Sequence, residues 1–348
     1  MGRESRKGLI DRIEKRRGSK VFCLLTSDRP NIAVQLQKDI LPRFVNHLRK
    51  GKEYSSIDLF IFTHGGDTLA GFGLSRLLRE YSQRVSVLVP DCCHSAGTLI
   101  ALGCNEIVMT KAATLSPIDP SIIRPLNPAI QAAPNQIPQL IPLSVESVAG
   151  FQSLVNDAWK IRSQRNVKEI LKILSEKVHP LALGDVYRVR QQTELLAREL
   201  LLQHRKDSSR ITKVVHTLSK GLGSHDYLIY RNEARKILGT QIKVDEELEE
   251  MIWDLYLDFV QEMELGVPFD PSLVLGAHPG TASNVPAQPV TRKVTAEVKL
   301  AVIEGLSGGD RAVRRMEITE VTIPQPGGGI NRQIMPPVDT FAGWESYA

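Results

Sequence analysis

From residue 21 onward the chain alternates between two hydrophobic periods, and this limits the folds open to it more than any other feature. VFCLLTS (21–27), IDLFIFTH (57–64), VSVLVPD (85–91) and EIVMT (106–110) are short apolar runs rich in β-branched residues, and they read as strands. Between them, AVQLQKDILPRFVNHLRKG (33–51), AGFGLSRLLREYS (70–82) and SAGTLIALGC (95–104) carry helical spacing. Pro42 falls inside the first of these helices and is expected to kink or split it. Strand–helix–strand order predicts βαβ units around a mostly parallel sheet buried on both faces.

The pattern then changes. Residues 116–143 hold seven prolines, which exclude a continuous helix or a central strand and predict a long ordered loop lining a cleft or a subunit contact. Helical patterns resume around 146–176, 185–206, 231–238 and 244–263. A Pro/Gly/Ala stretch at 265–292 precedes two β-like runs, 294–306 and 314–326, separated by the turn chemistry of Ser307-Gly308-Gly309-Asp310. The expected organisation is a basic N-terminal arm (1–20), a main domain (21–264), a linker (265–292) and a C-terminal β-hairpin extension (293–348). A lone hairpin is marginal in water, so this one must pack on the body or on another subunit.

Charge and cysteine content narrow the function classes. The net charge is +5, but residues 1–20 alone hold eight Lys/Arg against three Asp/Glu, leaving 36 of each sign in the remainder. A nucleic-acid enzyme spreads cations along a groove to meet successive phosphates, so no nucleic-acid partner is expected. Cys23, Cys92, Cys93 and Cys104 form no CxxC and lie in or beside apolar runs, which predicts reduced core residues, no zinc site and a cytoplasmic setting. No apolar run approaches the ~20 residues of a membrane span. Leu9, Ile10 and Ile13 make a narrow apolar stripe on the basic arm, expected to dock on protein, with weak membrane-surface contact as the alternative. No nucleotide-binding motif is present, and no cofactor or metal is expected.

Three segments concentrate the chemistry. Thr63-His64-Gly65-Gly66-Asp67, Asp91–Thr98 and Ser116–Ser121 each follow a predicted strand, and sites in open α/β folds gather at the carboxyl ends of strands. Ser95 stands where a strand gives way to a helix, beside backbone N–H groups that can hold an oxyanion, and Gly65-Gly66 offers a second run of such donors. Taken alone, such a serine is more often an N-cap and such glycines a tight turn. Their order and spacing together favour acyl transfer. A G-x-S-x-G elbow would need Gly at Cys93, which turns the reading away from the commoner α/β-hydrolase fold.

The stretches LFIFTHGGDTLAG, HSAGTLIALGCNEIVM, LSPIDPS and SHDYLIYRNEARKILG, spread over 57–239, resemble the serine dehydrogenase proteinase family, a Clp-fold group related to Clp peptidases and signal peptide peptidases. The resemblance implies a Clp/crotonase-like spiral of βαβ units and a serine peptidase acting on polypeptides. It places the nucleophile on Ser95 and the oxyanion N–H groups on Gly66 and Ala96. It also implies a homo-oligomer.

The general base stays open between two solutions. Clp peptidases take a histidine about 25 residues after the serine, and here Asp119 stands 24 residues on. Either His225 is the base with Asp119 orienting it, or Lys160 or Lys220 forms a Ser-Lys dyad as in signal peptide peptidases. His64 and His94 flank the same cleft, and strand alternation turns His94 away from Ser95. Two other classes share the fold: a crotonase-like acyl-CoA enzyme using Asp119 as base, and a catalytically silent oligomeric scaffold.

Overall fold

The computed structural model describes residues 2–118, 121–122, 125–131, 138–161, 163–277, 289–325 and 330–348. Its first element is helix α1 (Arg3–Arg17), closed by Gly18 in the left-handed conformation, φ 60°, with the Gly18 amide on Glu14 O at 2.8 Å. Strand β1 (Lys20–Thr26), helix α2 (Ile40–Leu48), β2 (Ile57–Phe62), α3 (Thr68–Tyr81), β3 (Val85–Val89), β4 (Cys92–Cys93), α4 (Ala96–Leu102) and β5 (Glu106–Met109) follow. The helix expected over 33–51 begins only at Ile40, which puts Pro42 in its first turn, where a missing N–H costs nothing.

β6 (Thr114–Leu115), β7 (Ser121–Ile122), β8 (Ala129–Ile130), β9 (Gln139–Leu140) and β10 (Leu143–Ser144) are two-residue strands in the proline-rich region. The helices α5 (Val145–Ser153), α6 (Gln164–Lys177), α7 (Pro180–Leu202) and α8 (Ser208–His216) come next, then β11 (Ile229–Tyr230) and α9 (Arg231–Leu238). β12 (Ile242–Lys243), α10 (Glu246–Met263), α11 (Pro271–Ala277), β13 (Val290–Gly305), β14 (Gly308–Pro324), β15 (Ile330–Ile334) and β16 (Val338–Tyr347) complete the order. π-helical turns at Leu154–Ala158 and Thr217–Gly221 extend α5 and α8.

The main sheet runs β12-β5-β3-β2-β1-β13-β14-β15, with β16 also on β14. From β12 to β1 every pairing is parallel; from β1 to β16 every pairing is antiparallel. The hairpin of β13 and β14 continues the central sheet, because Ala301–Glu304 pair with Cys23–Thr26 of β1.

Side-chain alternation along β1 explains the two layers. Val21, Cys23 and Leu25 face a cluster built with Leu9, Ile10 and Ile13 of α1 and Ile252, Leu255 and Phe259 of α10. Phe22 and Leu24 face the opposite cluster, formed with α2, α3, α4, α7 and α8. A two-sided core is what near-continuous apolar strands require.

The N-terminal segment is therefore no free arm. Its apolar stripe is covered by α10, which removes the basis for a membrane-surface contact through Leu9, Ile10 and Ile13. Ile252 and Leu255 are buried for the same reason and offer nothing to a second subunit, whereas Leu257 is exposed.

Arg6 ties these parts together. It is 1% exposed and reaches Asp258 at 2.8 Å, Glu304 at 3.0 Å and Glu262, with its guanidinium 4.6 Å above the Phe259 ring. Tyr347 donates to the same Glu304 at 2.6 Å. One cation thus joins the first helix to α10 and β13, and through Glu304 to Tyr347 of β16. Removing one partner of a buried ion pair leaves the remaining charges unpaired, at about 3–5 kcal/mol. Arg6→Ala is expected to lower unfolding stability by about that amount, measured by denaturant titration; a loss below about 1 kcal/mol would mean that the acids rearrange into water.

Candidate active site

Three chain segments meet at the carboxyl ends of β2 and β3. Beyond β2, Thr63 bridges Cys93: its amide donates to Cys92 O and its carbonyl accepts from the His94 amide, both at 3.0 Å. β4 pairs in parallel with β6, and β6 pairs with β11, so this small sheet brings residues 92–95, 114–116 and 229–230 side by side.

Gly65 and Gly66 are dictated by space and by backbone angle. Gly65 has φ 101°, and a Cβ there would lie 2.7 Å from Ser95 Cβ. Gly66 has φ 144°, and a Cβ there would fall on the backbone of Leu36, 2.5 Å from its nitrogen. The loop is pinned by Leu36 N donating to Gly65 O and Asp67 N donating to Leu36 O, both at 2.8 Å. Asp67 then caps α3 by accepting from Leu69 N and Ala70 N.

Ser95 adopts φ 51°, ψ −109°, a conformation that costs a residue with a Cβ about 1–3 kcal/mol. It precedes α4, yet its side chain makes no capping bond. The ordinary N-cap role is therefore not what holds it. Among the described residues Ser95 Oγ has no hydrogen-bond partner, and the amides of Gly66 and Ala96 donate to none. The Gly65 amide, expected among the oxyanion donors, is taken by Thr63 Oγ1 at 3.1 Å, so Gly65 contributes close approach rather than a donor.

A latch not apparent in the sequence holds the turn. Ser116 Oγ accepts from Ser95 N at 2.8 Å, and Ser116 N donates to Thr98 Oγ1, whose hydroxyl donates to Cys93 O. Ser116 sits beside a proline in the loop after β6, and only the Ser-Pro dipeptide hinted at it.

The other expected residues fall unevenly. Asp119 lies outside the described residues. His225 is half-buried just before β11, in the chain that pairs with β6, and its charge acts on His94. Lys160 is exposed, and Lys220 is ion-paired with Glu194 at 2.8 Å. A lysine base needs burial away from acids, so both surroundings are unsuited to a Ser-Lys dyad.

Histidines gather beside the turn. His94 Nε2 lies 2.8 Å from Thr114 Oγ1, and the His94 ring meets His64 edge-to-face at 5.5 Å. His64 Nε2 is 3.6 Å from Asp28 Oδ2. This contact with His64 is the largest influence on Asp28 and lowers its carboxyl; burial opposes it, and the Gly266 amide at 3.0 Å reinforces it. Burial, then the neighbouring His64 and His225, push His94 down to about 4, so it is neutral at pH 7.

The mixed α/β architecture, with five parallel strands on one side of its large sheet, is consistent with a ClpP-like fold. Residues 3–138 match the family described as ClpP-like SDH-type serine proteinase. The matched stretch contains Gly65, Gly66, Ser95, Ala96 and Ser116, and ends before Lys160, Lys220 and His225.

Two uncharacterized proteins of Methanocaldococcus jannaschii are similar to this chain. MJ1495 is 32% identical over 119 residues, covering 32% of this chain and 41% of its own length. MJ0137 is 30% identical over 139 residues, covering 37% and 49% respectively. The chain thus spans less than half the length of these curated relatives. A solved structure of a mutant 1510-N membrane-bound stomatin-specific protease aligns at 14% identity with a TM-score of 0.36, covering 62% of this chain and 78% of that one. No helix among the described residues is long and apolar enough to cross a membrane.

The depressed His94 value has a signed consequence. Below the ordinary imidazole pKa of about 6.5 the unfolded chain binds this proton and the folded chain does not, so stability falls with pH. This contribution is lost as pH drops from about 6.5 towards about 4, where the folded ring also protonates, and changes no further below that. NMR titration should give His94 a midpoint near 4; a midpoint at the ordinary value would show that the ring is solvated.

Proposed function

We propose that this protein is a serine peptidase that cleaves polypeptide through an acyl-enzyme on Ser95. At the coarser level the family match to residues 3–138 supports a hydrolase of the serine proteinase type. The observation that carries the finer reading is the strained Ser95, whose Oγ has no partner among the described residues, beside two backbone amides that likewise have no acceptor among them. An isolated serine gains nothing from such a conformation, and natural folds keep backbone strain of this kind where surrounding contacts enforce it.

In this scheme Ser95 Oγ attacks the scissile carbonyl and gives its proton to a base. The carbonyl oxygen, now negative, is held by the N–H groups of Gly66 and Ala96, the latter at the positive end of α4. The base returns the proton to the leaving amine, and water then hydrolyses the acyl-enzyme. We assign the base to His225 with Asp119 orienting it, because the two lysines sit exposed or paired with an acid. Ser116 acts by fixing the Ser95 backbone.

The proposal includes a homo-oligomer, supported by exposed apolar side chains on α6 and α7, among them Leu171, Ile173, Leu181, Tyr187 and Leu195.

A fluorophosphonate probe is expected to label the native protein once per chain at Ser95, with labelling abolished in Ser95→Ala. His225→Ala should slow it by about 10²–10⁴-fold, the usual contribution of a general base. Peptide mapping of the adduct checks the site. Absence of labelling in folded protein, or labelling at another serine, would defeat the peptidase reading, and an unchanged rate in His225→Ala would remove His225 as base.

A further inference from the structure

Beside the serine turn stands a group of side chains to which the peptidase reading gives no role. One ligand atom from each of His64, Cys92 and His94 lies within 4.8 Å of the others. Cys92 and His94 are two residues apart at the end of a strand, so both project from one face, while Cys93 between them is buried in the core on the other. His64 arrives from the loop after β2, carried by the Thr63–Cys93 bridge. The sequence brings His64 and His94 to one cleft but does not mark them with Cys92 as ligands, because 64 and 92 belong to different loops and no metal-ligand spacing links them.

We propose that His64, Cys92 and His94 form a binding site for a divalent transition-metal ion of the zinc class. Two imidazoles and one thiolate are a donor set suited to zinc, and three protein ligands leave a fourth position open. For a tetrahedral site with bonds of about 2.0–2.3 Å the donor atoms stand roughly 3.3–3.7 Å apart, so the three side chains need to close by about 1 Å. His64 is the hinge for that movement, its side chain being 51% exposed.

The surroundings support a cation. Zinc-bound histidines characteristically use their second ring nitrogen on an oxygen partner. Here Asp28 faces His64 Nε2 at 3.6 Å and Thr114 Oγ1 lies 2.8 Å from His94 Nε2, so each imidazole has an oxygen partner beside it. Asp91 lies 3.7 Å from Cys92 Sγ and is held by Tyr256 OH at 2.9 Å, so a second carboxylate borders the group. On binding, the Cys92 S–H bond breaks, its proton passes to solvent, and the thiolate lone pair forms the bond to the metal.

Cobalt(II) titration of the full chain, held reduced with a phosphine, tests this. The expected result is one ion per chain, with the visible bands of a four-coordinate site and a thiolate-to-cobalt charge-transfer band in the near ultraviolet. Cys92→Ser should abolish the charge-transfer band, His64→Gln should weaken binding at least tenfold, and Asp28→Asn should weaken it about 10–100-fold. Zinc should displace the cobalt. His64 and Asp28 are partly solvent-facing, so these two variants test the site without disturbing the core. The same spectrum is expected in Ser95→Ala, which separates this result from the fate of the peptidase reading. A protein that shows no charge-transfer band at saturating cobalt, or keeps the band in Cys92→Ser, overturns the proposal.

Discussion

The passage of Gly65-Gly66 between the backbone of Leu36 on one side and Ser95 on the other is the constraint on which the site depends. Neither glycine has room for a Cβ, and both hold φ angles that other residues avoid. The loop is fixed by main-chain bonds to Leu36, and Ser95 is pressed from the opposite side while Ser116 holds its amide. Ser95 is strained beside this close packing, and the amides of Gly66 and Ala96 have no acceptor among the described residues.

The rest of the chain supplies rigidity to that junction. Helices α1 and α10 cover one face of the sheet, and the buried Arg6 links them to Glu304 on β13. That connection explains why a basic N-terminal segment and a hairpin from the far end of the chain both belong to the central body. The basicity concentrated in residues 1–20 is spent largely on internal acids: Arg3 on Glu304, Arg6 on three carboxylates, Arg16 on Asp245 and Glu247, Arg17 on Asp58 and Glu106.

Two groups of chemistry-bearing residues share the serine turn. One is a serine hydroxyl and the amides of Gly66 and Ala96, which have no hydrogen-bond partner among the described residues. The other is the imidazoles of His64 and His94, the Cys92 thiol and the carboxylates of Asp28 and Asp91. Strand alternation across residues 92–94 turns these groups to one face and Cys93 to the other, while the turn at Ser95 faces the glycine loop.

Local pattern made much of this legible. The four core strands, the helix after Asp67 and the place of Ser95 at a strand–helix junction could be read directly, because hydrophobic period reports on backbone requirements close to the residue itself, whereas the roles given to Gly66 and Ala96 came from the family resemblance. The start of α2 was misplaced since residues 33–39 have helical spacing but Pro42 favours a first turn. Other features needed the tertiary structure. The docking of the first helix, the joining of β13 to β1, the Ser116 latch and the meeting of His64, Cys92 and His94 all rest on contacts between residues tens to hundreds of positions apart. A lone sequence carries no period for such contacts. The sequence by itself determined a parallel βαβ core with a serine at a strand–helix junction, because burial and backbone freedom are local demands. Which donors stay unpaired around that serine, and which titratable groups surround it, was decided only when distant segments packed together.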